Sequence, residues 1–381
     1  MNIMLIGNGF DLAHGLPTKY DNFLDFIDII EERIEAFNSP DILNYHFHDR
    51  LDEIYNDISD SVNKKFLELS QNGEYIKFWE QIITNNIWID YFKASRPNMK
   101  KNWIDFEREI FFVVSNLDSF IQNNPVINFS QFFSQNDFLD DFSRNYRILL
   151  RTYNQKNKEL TIPAFIHELE KDLEKLIYAL EIYINEFVNK FDVKYYSKQI
   201  ASLNIDKVIS FNYSNTFETV YGPLNHNTQY DYVHGKASYH SEYTDNKIVL
   251  RINEYLDNDE RNTNTRFIRF KKFFQRIHKN TGCNYKSWLK EIDNNGGKHN
   301  LYIFGHSLDV TDQDILRELI LHDNIKTTIF YHDKEAYAQQ IINLVEVIEQ
   351  DNLIKRAGGI NKSIYFVKQA DFKSELFSRV S

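Results

Sequence analysis

The sequence predicts an α/β fold, in which a parallel, Rossmann-like sheet is interrupted by a large helical insertion. Three observations lead to this prediction. A short apolar run at residues 2–6 leads directly into a glycine-rich loop. Further short apolar runs recur beyond residue 200 and alternate with helical patterns. Residues 20–200 show helical periodicity instead. Short, continuously apolar runs are typical of parallel strands that are covered on both faces.

The first loop has the features of a nucleotide site. It reads Gly7-Asn8-Gly9-Phe10-Asp11 and continues to a third glycine, Gly15. Glycines after a strand allow backbone N–H groups and a helix N-terminus to approach a phosphate. Gly15 comes three positions too late for the dehydrogenase fingerprint, and residues 20–30 predict a helix where that fingerprint needs a strand. The alternative is a tight strand-to-helix connection without a ligand.

The insertion covers residues 21–200, and we assign residues 1–20 and 201–381 to the sheet core. Thr18 and Asp21 have capping-box spacing, which predicts a helix from about this point. Pro163 lies in the first turn of another helix, whose apolar residues repeat every three or four positions. Residues 103–107 begin a further helical stretch.

Six apolar runs beyond residue 200 predict the remaining strands. They are residues 207–211, 232–234, 247–250, 301–304, 327–331 and 364–367. Helical patterns at 314–321 and 336–348 separate the last of them. Alternation of strands and helices of this kind predicts a parallel sheet.

Three of these strands end in residues that suit a ligand site. Asn212 follows the first, and its amide can both donate and accept hydrogen bonds. His234 follows the second, and imidazole suits proton transfer near neutral pH. Gly305, His306 and Ser307 follow a third, where a glycine permits close backbone approach. The alternatives are a helix-capping asparagine, a structural histidine and an ordinary strand-to-helix turn.

Composition limits the possible classes of protein. The net charge of −11 gives no general attraction to nucleic acid. Cys283 is the only cysteine, which excludes internal disulfides and a cysteine zinc site. No apolar segment is long enough to span a membrane. Nothing at the N-terminus is similar to a signal peptide, so we expect a cytoplasmic location.

One basic segment requires separate consideration. Seven cations alternate with phenylalanines between residues 261 and 279: Arg261, Arg266, Arg269, Lys271, Lys272, Arg276 and Lys279. Aromatic residues beside a basic groove can bind single-stranded nucleic acid. However, Phe267, Phe270, Phe274 and Ile277 repeat at helical spacing, which favours a buried apolar stripe with solvated charges.

Taken together, these motifs resemble the abortive-infection AbiH family of bacterial phage-defence proteins. The resemblance is carried by residues 7–20, 103–107, 211–213, 233–235 and 305–309, which span nearly the whole chain. Its first motif is the most specific. The family in turn resembles the sirtuin-like NAD-binding fold, whose loop glycines, asparagine motif, His-Gly pair and Gly-x-Ser-Leu element have counterparts here in the same order.

The resemblance implies site residues. Asn212 and His234 would be catalytic. The residues that would hold the dinucleotide are Gly7, Asn8, Gly9, Phe10, Asp11 and Gly15 in the first loop, and Gly305, His306 and Ser307 after the later strand. Three positions depart from the sirtuin-like pattern: Asp11 stands for serine, Phe211 for threonine, and Ser214 for aspartate. The four-cysteine zinc module of protein deacetylases is absent, so deacetylation is not expected.

The expected activity is hydrolysis of NAD, as substrate, to nicotinamide and ADP-ribose without a metal. The alternatives are a catalytically silent nucleotide sensor and a nucleic-acid-binding or nucleic-acid-cleaving effector, the latter less favoured. By family analogy, the helical region is a candidate regulator or surface for homo-oligomerisation, and a phage-derived trigger is a further expected partner.

Overall fold

A computed structural model describes residues 1–38, 73–96, 105–123, 141–156, 161–191, 193, 195–224, 227–238, 243–256 and 260–370. The chain divides into two compact units. The sheet unit comprises Met1–Thr18, Asp192–Ala237 and Asn280–Ser381, and the helical unit comprises Lys19–Phe191 and Ser238–Lys279.

The sheet unit contains six parallel strands, which confirms the predicted fold class. They are β1 (Asn2–Ile6), β2 (Lys207–Ser210), β3 (Gln229–Tyr232), β4 (His299–Phe304), β5 (Ile325–Tyr331) and β6 (Ile364–Lys368). Their order in the sheet is β3-β2-β1-β4-β5-β6. The chain builds outward from β1 to β3 and then returns to place β4 on the other side of β1. The switch point of the topology therefore lies between β1 and β4, where open α/β sheets bind ligands.

Alternation along β1 explains how both faces of the sheet are buried. Ile3 and Leu5 belong to one apolar cluster, with Ile209, Leu301 and Ile303 among its members. Met4 and Ile6 belong to a second cluster on the other face. Because successive side chains of a strand point to opposite faces, a continuously apolar strand needs cover on both.

Helices connect the strands of the sheet unit. They are α1 (Asn8–Ala13), α8 (Lys198–Ala201), α9 (Thr216–Tyr221), α11 (Tyr285–Asn295), α12 (Gln313–Ile320), α13 (Lys334–Ile348) and α14 (Gln350–Ala357). The two predicted helical patterns, 314–321 and 336–348, correspond to α12 and α13. Asp333 caps α13 by accepting a hydrogen bond of 2.8 Å from the backbone N–H of Ala336.

The helical unit contains α2 (Tyr20–Asn38), α3 (Gly73–Ile83), α4 (Ile87–Ser95), α5 (Phe106–Asn123), α6 (Asp141–Lys156), α7 (Ile162–Ile182) and α10 (Lys272–Lys279). The predicted helix starts near Thr18 and Pro163 are confirmed, and Thr161 caps α7. Residues 103 and 104 of the third predicted start lie outside the described residues. Stacked aromatic rings join the helices, with Phe92 and Phe106 4.0 Å apart between centroids.

The predicted strand at residues 247–250 is wrong. Ile248, Val249 and Leu250 are buried and Lys247 is exposed, but these residues form no strand, and they belong to the helical unit. Buried ion pairs accompany them: Arg251 is completely buried and pairs with Glu174 of α7. Lys279 reaches the same carboxylate at 3.3 Å. A short apolar run can therefore be buried among helices as irregular chain rather than as a strand.

The predicted buried stripe is confirmed at Phe267 and Phe270, which precede helix α10, and is wrong within the helix. There Phe274 is only half-buried and Ile277 is 77% exposed. The buried side chains of the helix are instead polar: Lys272, Gln275 and Lys279. The buried lysines are compensated by carboxylates, since Lys272 pairs with Glu107 at 2.9 Å. Periodicity identified the helix, but ion pairing determined which face is buried. Separately, none of the helices in the described ranges is long and apolar enough to cross a membrane.

Candidate functional site

The candidate site lies at the carboxyl edge of the sheet, which we define as the edge where the parallel strands end. Four loops leave this edge after β1, β2, β3 and β4, and they carry the residues that the sequence assigns to the site. Parallel strands bring these loops together although they lie far apart along the chain.

The loops after β1 and β4 lie in direct backbone contact. The N–H of Gly9 donates to the carbonyl of Gly305 at 2.8 Å, and the N–H of Gly7 donates to the carbonyl of Phe304 at 3.2 Å. A Cβ atom on Gly305 would lie 2.1 Å from the nitrogen of Phe10, and the φ angle of Gly305 is +65°. These glycines therefore allow a close approach of two loops that no side chain would permit.

This contact bears on the predicted phosphate cradle. The N–H of Phe10 donates to the carbonyl of Gly7 at 2.8 Å, so that Gly7, Gly9 and Phe10 all direct their N–H groups at protein carbonyls. Asn8 accepts a hydrogen bond of 2.5 Å from the Thr18 hydroxyl. Gly15 has a φ angle of +82° and closes the turn after α1. A phosphate could use the amides of Gly7 and Gly9 only if the loop moved away from β4 and its following turn, and the amide of Phe10 only if its bond to Gly7 opened.

Asn212 joins the β2 loop to the β1 loop. Its Nδ2 atom donates to the carbonyl of Gly7 at 3.0 Å. The Ser210 hydroxyl braces the turn, because it donates to the Asn212 carbonyl and accepts from the Asn212 N–H, both at 3.1 Å. The Asn212 amide also hydrogen-bonds the Asp11 side chain, so it ties the β2 loop to the β1 loop at two points.

Asp11 is held by the same β2 loop. The Ser214 hydroxyl donates to Asp11 Oδ2 at 2.6 Å, and Thr216 Oγ1 lies 3.0 Å from the Ser214 oxygen. Burial raises the pKa of the Asp11 carboxyl to about 6, against the lowering effect of its hydrogen bonds. A carboxyl with this pKa exchanges protons close to neutral pH, which is the range that acid–base chemistry requires.

His234 and His306 approach one carboxylate from two different loops. Asp312 Oδ1 lies 3.2 Å from His234 Nε2, and Asp312 Oδ2 lies 3.4 Å from His306 Nε2. The Phe211 ring contacts both imidazoles, with ring centroids 5.1 Å from His234 and 4.5 Å from His306. Phe211, His234, His306 and Asp312 therefore form one cluster, and Asn212 adjoins it in the chain as the residue after Phe211.

Helix α13 fixes the turn that carries His306 and Ser307. Gln340 Nε2 donates to the His306 carbonyl at 3.3 Å, and Asn343 Nδ2 donates to the Ser307 carbonyl at 2.8 Å. The Ser307 side chain is exposed, whereas that of His306 is buried. The turn therefore has one residue directed into the cluster and a neighbour accessible to solvent.

The cluster is buried but retains some access. Asn212 and His234 are each 5% exposed. A substrate would touch only the edges of these side chains unless the neighbouring loops opened. Partial burial of this kind also raises the strength of electrostatic interactions inside the site, because less water screens them.

His14 is a structural residue of α1. Its Nδ1 lies 2.7 Å from the Phe10 carbonyl, which can only accept, so Nδ1 carries the proton. Its Nε2 then accepts from the Tyr221 hydroxyl at 2.8 Å. Burial lowers the pKa of His14 to about 4, which keeps the imidazole neutral.

The basic segment at 261–279 is compensated by carboxylates of the helical unit. Five of its cations form ion pairs: Arg266 with Asp118, Arg269 with Glu170, Lys271 with Glu254, Lys272 with Glu107, and Lys279 with Glu174. Paired cations release few counterions when they meet a phosphate backbone, which weakens the case for a nucleic-acid groove. Across the described ranges, no three histidine, cysteine, aspartate or glutamate side chains are grouped so as to hold a metal ion.

Asp312 is the residue of the cluster that the sequence does not single out. The loop after β4 carries two carboxylates, Asp309 and Asp312, and both follow a glycine turn at helix-capping distance. Asp309 does cap the next turn, by accepting from the Thr311 N–H at 2.9 Å. The useful signal was the presence of two histidines at strand ends, because such imidazoles commonly need a carboxylate to orient them.

Comparison with known proteins identifies one family. The sequence model of the family described as "Bacteriophage abortive infection AbiH" matches residues 3–332. The match includes all four loops of the candidate site. A search of curated proteins gives no match.

Proposed function

The chain belongs to the AbiH family of bacteriophage abortive infection proteins, and from that premise we propose that it acts by hydrolysing the N-glycosidic bond of NAD. The products would be nicotinamide and ADP-ribose. Loss of NAD would halt the metabolism of an infected cell.

The observation that carries the proposal is that Asn212 and His234 follow neighbouring parallel strands, β2 and β3, at the carboxyl edge of the sheet. The ring of Phe211, the residue before Asn212, contacts the His234 ring, and Asn212 donates to the carbonyl of Gly7 beside the switch point of the topology. Dinucleotides bind at this position in sheets with the same strand order. The site therefore offers a hydrogen-bonding amide and an oriented imidazole where the ribose of such a ligand would lie.

The reaction needs little covalent chemistry from the protein. The bond between ribose C1′ and the nicotinamide nitrogen breaks, and its electron pair neutralises the pyridinium ring. A water molecule attacks C1′ and forms the new C–O bond. His234 would accept the proton that this water loses and pass it to solvent. Asn212 would hold the water or a ribose hydroxyl in line with C1′.

Asp11 would hydrogen-bond the ribose hydroxyls and would take no part in breaking the glycosidic bond. A carboxyl with a pKa of about 6 is partly protonated near neutral pH, so it can accept from one hydroxyl or donate to another. Its bond to Ser214 ties it to the loop that carries Asn212. Gly305 and Ser307 would lie beside the adenosine end, with the exposed Ser307 hydroxyl as donor.

A fluorescent NAD analogue tests the proposal. We expect purified protein to release fluorescent product, and Asn212→Ala or His234→Ala to lower the rate at least about 100-fold, as loss of a proton-transfer group does. His332→Ala and Asn361→Ala are matched controls, since both residues are exposed and lie outside the cluster. Equal rates for the wild type and the two site variants would reject catalysis by these residues.

A catalytically silent nucleotide sensor is the second candidate, and one observation favours it. The N–H groups of Gly7, Gly9 and Phe10 are already bonded to carbonyls, which gives the closed loop no ready phosphate cradle. A sensor would bind the dinucleotide in a slowly opening loop and leave it intact. Calorimetry that detects NAD binding, together with unchanged NAD after prolonged incubation, would identify this behaviour.

A further inference from the structure

One carboxylate lies between the two imidazoles of the cluster. The two oxygens of Asp312 face different histidines, at 3.2 Å for His234 Nε2 and 3.4 Å for His306 Nε2. Each oxygen of a carboxylate can only accept a hydrogen bond. Both histidines are therefore expected to present a protonated Nε2 to it.

The proton of His306 is fixed by the backbone. The N–H of Leu308 donates to His306 Nδ1 at 2.9 Å, so Nδ1 must be the unprotonated nitrogen. The remaining ring proton then lies on Nε2 and points at Asp312. Leu308 adopts a φ angle of +61° and is completely buried, an unfavourable conformation for a leucine. Strained backbone of this kind persists only where the surroundings hold it in place.

We propose that Asp312, held by His306, is the positioning residue that keeps the proton of His234 on Nε2 and thereby makes Nδ1 its basic nitrogen. The inference rests on the proposed function for the identity of the reaction. It adds the direction in which the imidazole works: Nε2 faces Asp312, and Nδ1 receives the proton of the attacking water.

The surrounding fold gives this arrangement a rigid support. The amides of Gln340 and Asn343 hold the carbonyls of residues 306 and 307 against helix α13. The Asp312 N–H donates to the Asp309 carbonyl at 3.2 Å, which fixes the start of the following turn. The carboxylate is therefore anchored from its own backbone, and its two oxygens have defined partners.

Exchange of an orienting carboxylate for an amide is known to stabilise the wrong histidine tautomer. In the serine-protease triad this exchange leaves the geometry intact and lowers kcat about 10⁴-fold. An amide in place of Asp312 can turn its NH₂ group towards His234 Nε2. His234 would then accept at Nε2 and carry its proton on Nδ1, where it could no longer act as the base.

Long-range ¹H–¹⁵N NMR on histidine-labelled protein measures the tautomer without any substrate. We expect His234, assigned by loss of its signal in His234→Gln, to be the Nε2–H tautomer in the wild type. Asp312→Asn should shift it towards the Nδ1–H tautomer. Asp309→Asn is the matched control, since it makes the same change on the same loop away from the histidines, and it should leave His234 unchanged.

The kinetic arm uses the same variants. Asp312→Asn should lower the rate of nicotinamide release about 10³- to 10⁴-fold through kcat, with a smaller change in KM. Asp309→Asn should stay within about twofold of the wild type, because the asparagine oxygen can still accept from the Thr311 N–H and keep the cap.

The two arms separate the possible failures. If wild-type His234 carries its proton on Nδ1, the inference is overturned, even where Asp312→Asn does not fold. The inference is also overturned if Asp312→Asn folds and the tautomer of His234 does not change. Absence of nicotinamide release from wild-type protein that shows the expected tautomers rejects the proposed function but leaves the positioning by Asp312 in place.

Discussion

The Ser214 hydroxyl donates a hydrogen bond of 2.6 Å to the carboxyl of Asp11. These residues occupy two of the three positions at which the chain departs from the sirtuin-like pattern, which has serine in the first loop and aspartate in the second. The structure shows that the two departures face each other. Ser214 supplies the donor of this contact and Asp11 supplies the acceptor, so exchanging the two residues would keep one donor and one acceptor.

The exchange predicts a rescue. Asp11→Ser and Ser214→Asp should each lower the free energy of unfolding by about 1–3 kcal/mol, because each leaves a buried group without its complement. The double variant restores one hydroxyl and one carboxyl, so we expect it to recover more than half of the summed loss. Urea unfolding of the four proteins measures the coupling. Strictly additive losses would show that the two side chains do not act as a pair.

Asp11 and His14 should make the free energy of unfolding depend on pH in opposite directions. The folded-state pKa of Asp11, about 6, lies above the ordinary value of 3.8, so the folded protein binds the proton more tightly. Its contribution to stability is present below pH 4 and is lost as the pH rises to 6. Relative to the wild type, Asp11→Asn should therefore gain about 2 kcal/mol of unfolding free energy between pH 4 and pH 7. Urea unfolding at a series of pH values measures this, and a constant difference would contradict it.

The contribution of His14 to stability should change with pH in the opposite direction to that of Asp11. The folded-state pKa of His14, about 4, lies below the ordinary 6.5, so the unfolded chain binds the proton more tightly between these values. The contribution to stability is present above pH 6.5 and is lost as the pH falls to 4. Relative to the wild type, His14→Gln should lose about 3 kcal/mol over the rise from pH 4 to pH 7. Matching slopes for the His14 and Asp11 variants would be inconsistent with these assignments.

The contact between the β1 and β4 loops predicts a steric effect at Gly305. Gly305→Ala places a methyl group 2.1 Å from the Phe10 nitrogen, and we expect a loss of more than about 3 kcal/mol or failure to fold. Gly359→Ala is the matched control: its φ angle of +74° is equally unfavourable, but no atom lies within 4 Å of the added Cβ. It should cost about 1 kcal/mol. Similar melting temperatures for the two variants would contradict the close packing.

The buried ion pair of the helical unit predicts a large cost for Arg251→Met. Burial alone would raise the pKa of Glu174, but Arg251 and Lys279 lower it to about 2, which keeps this buried carboxyl charged. Loss of the arginine should cost about 3–5 kcal/mol of unfolding free energy. Arg269→Met removes an exposed pair with Glu170 and should cost less than about 1 kcal/mol. Equal losses of unfolding free energy in the two variants would show that burial does not make the Arg251–Glu174 pair more important for stability than the exposed pair.

The sequence predicted the sheet well because most of its strands are continuously apolar. Strands β1, β2, β4, β5 and β6 fall on the predicted runs, whereas β3 (Gln229–Tyr232) shares only its last residue with the predicted strand at 232–234. Residues 247–250 have the same composition but pair with no strand. A short apolar run reports burial, and burial between helices gives the same pattern as burial within a sheet.

The site was predictable where backbone geometry demands particular residues and less so where distant side chains meet. Glycines after β1 and β4 marked two loops, and Asn212 and His234 marked two more. Asp312 could not be separated from Asp309, because both suit a capping position and only the fold shows which faces the histidines. The buried face of α10 could not be predicted for a related reason. Its buried lysines form ion pairs with Glu107 and Glu174, which are remote in the sequence.

The most direct test of the account is a crystal structure of His234→Ala grown with NAD, since this variant should bind the dinucleotide without cleaving it. We predict intact NAD at the carboxyl edge between β1 and β4, with the nicotinamide ribose beside Asn212 and the adenosine beside Ser307. NAD bound away from these loops, or crystals that exclude it at millimolar concentration while the four loops remain as described, would contradict the central claim.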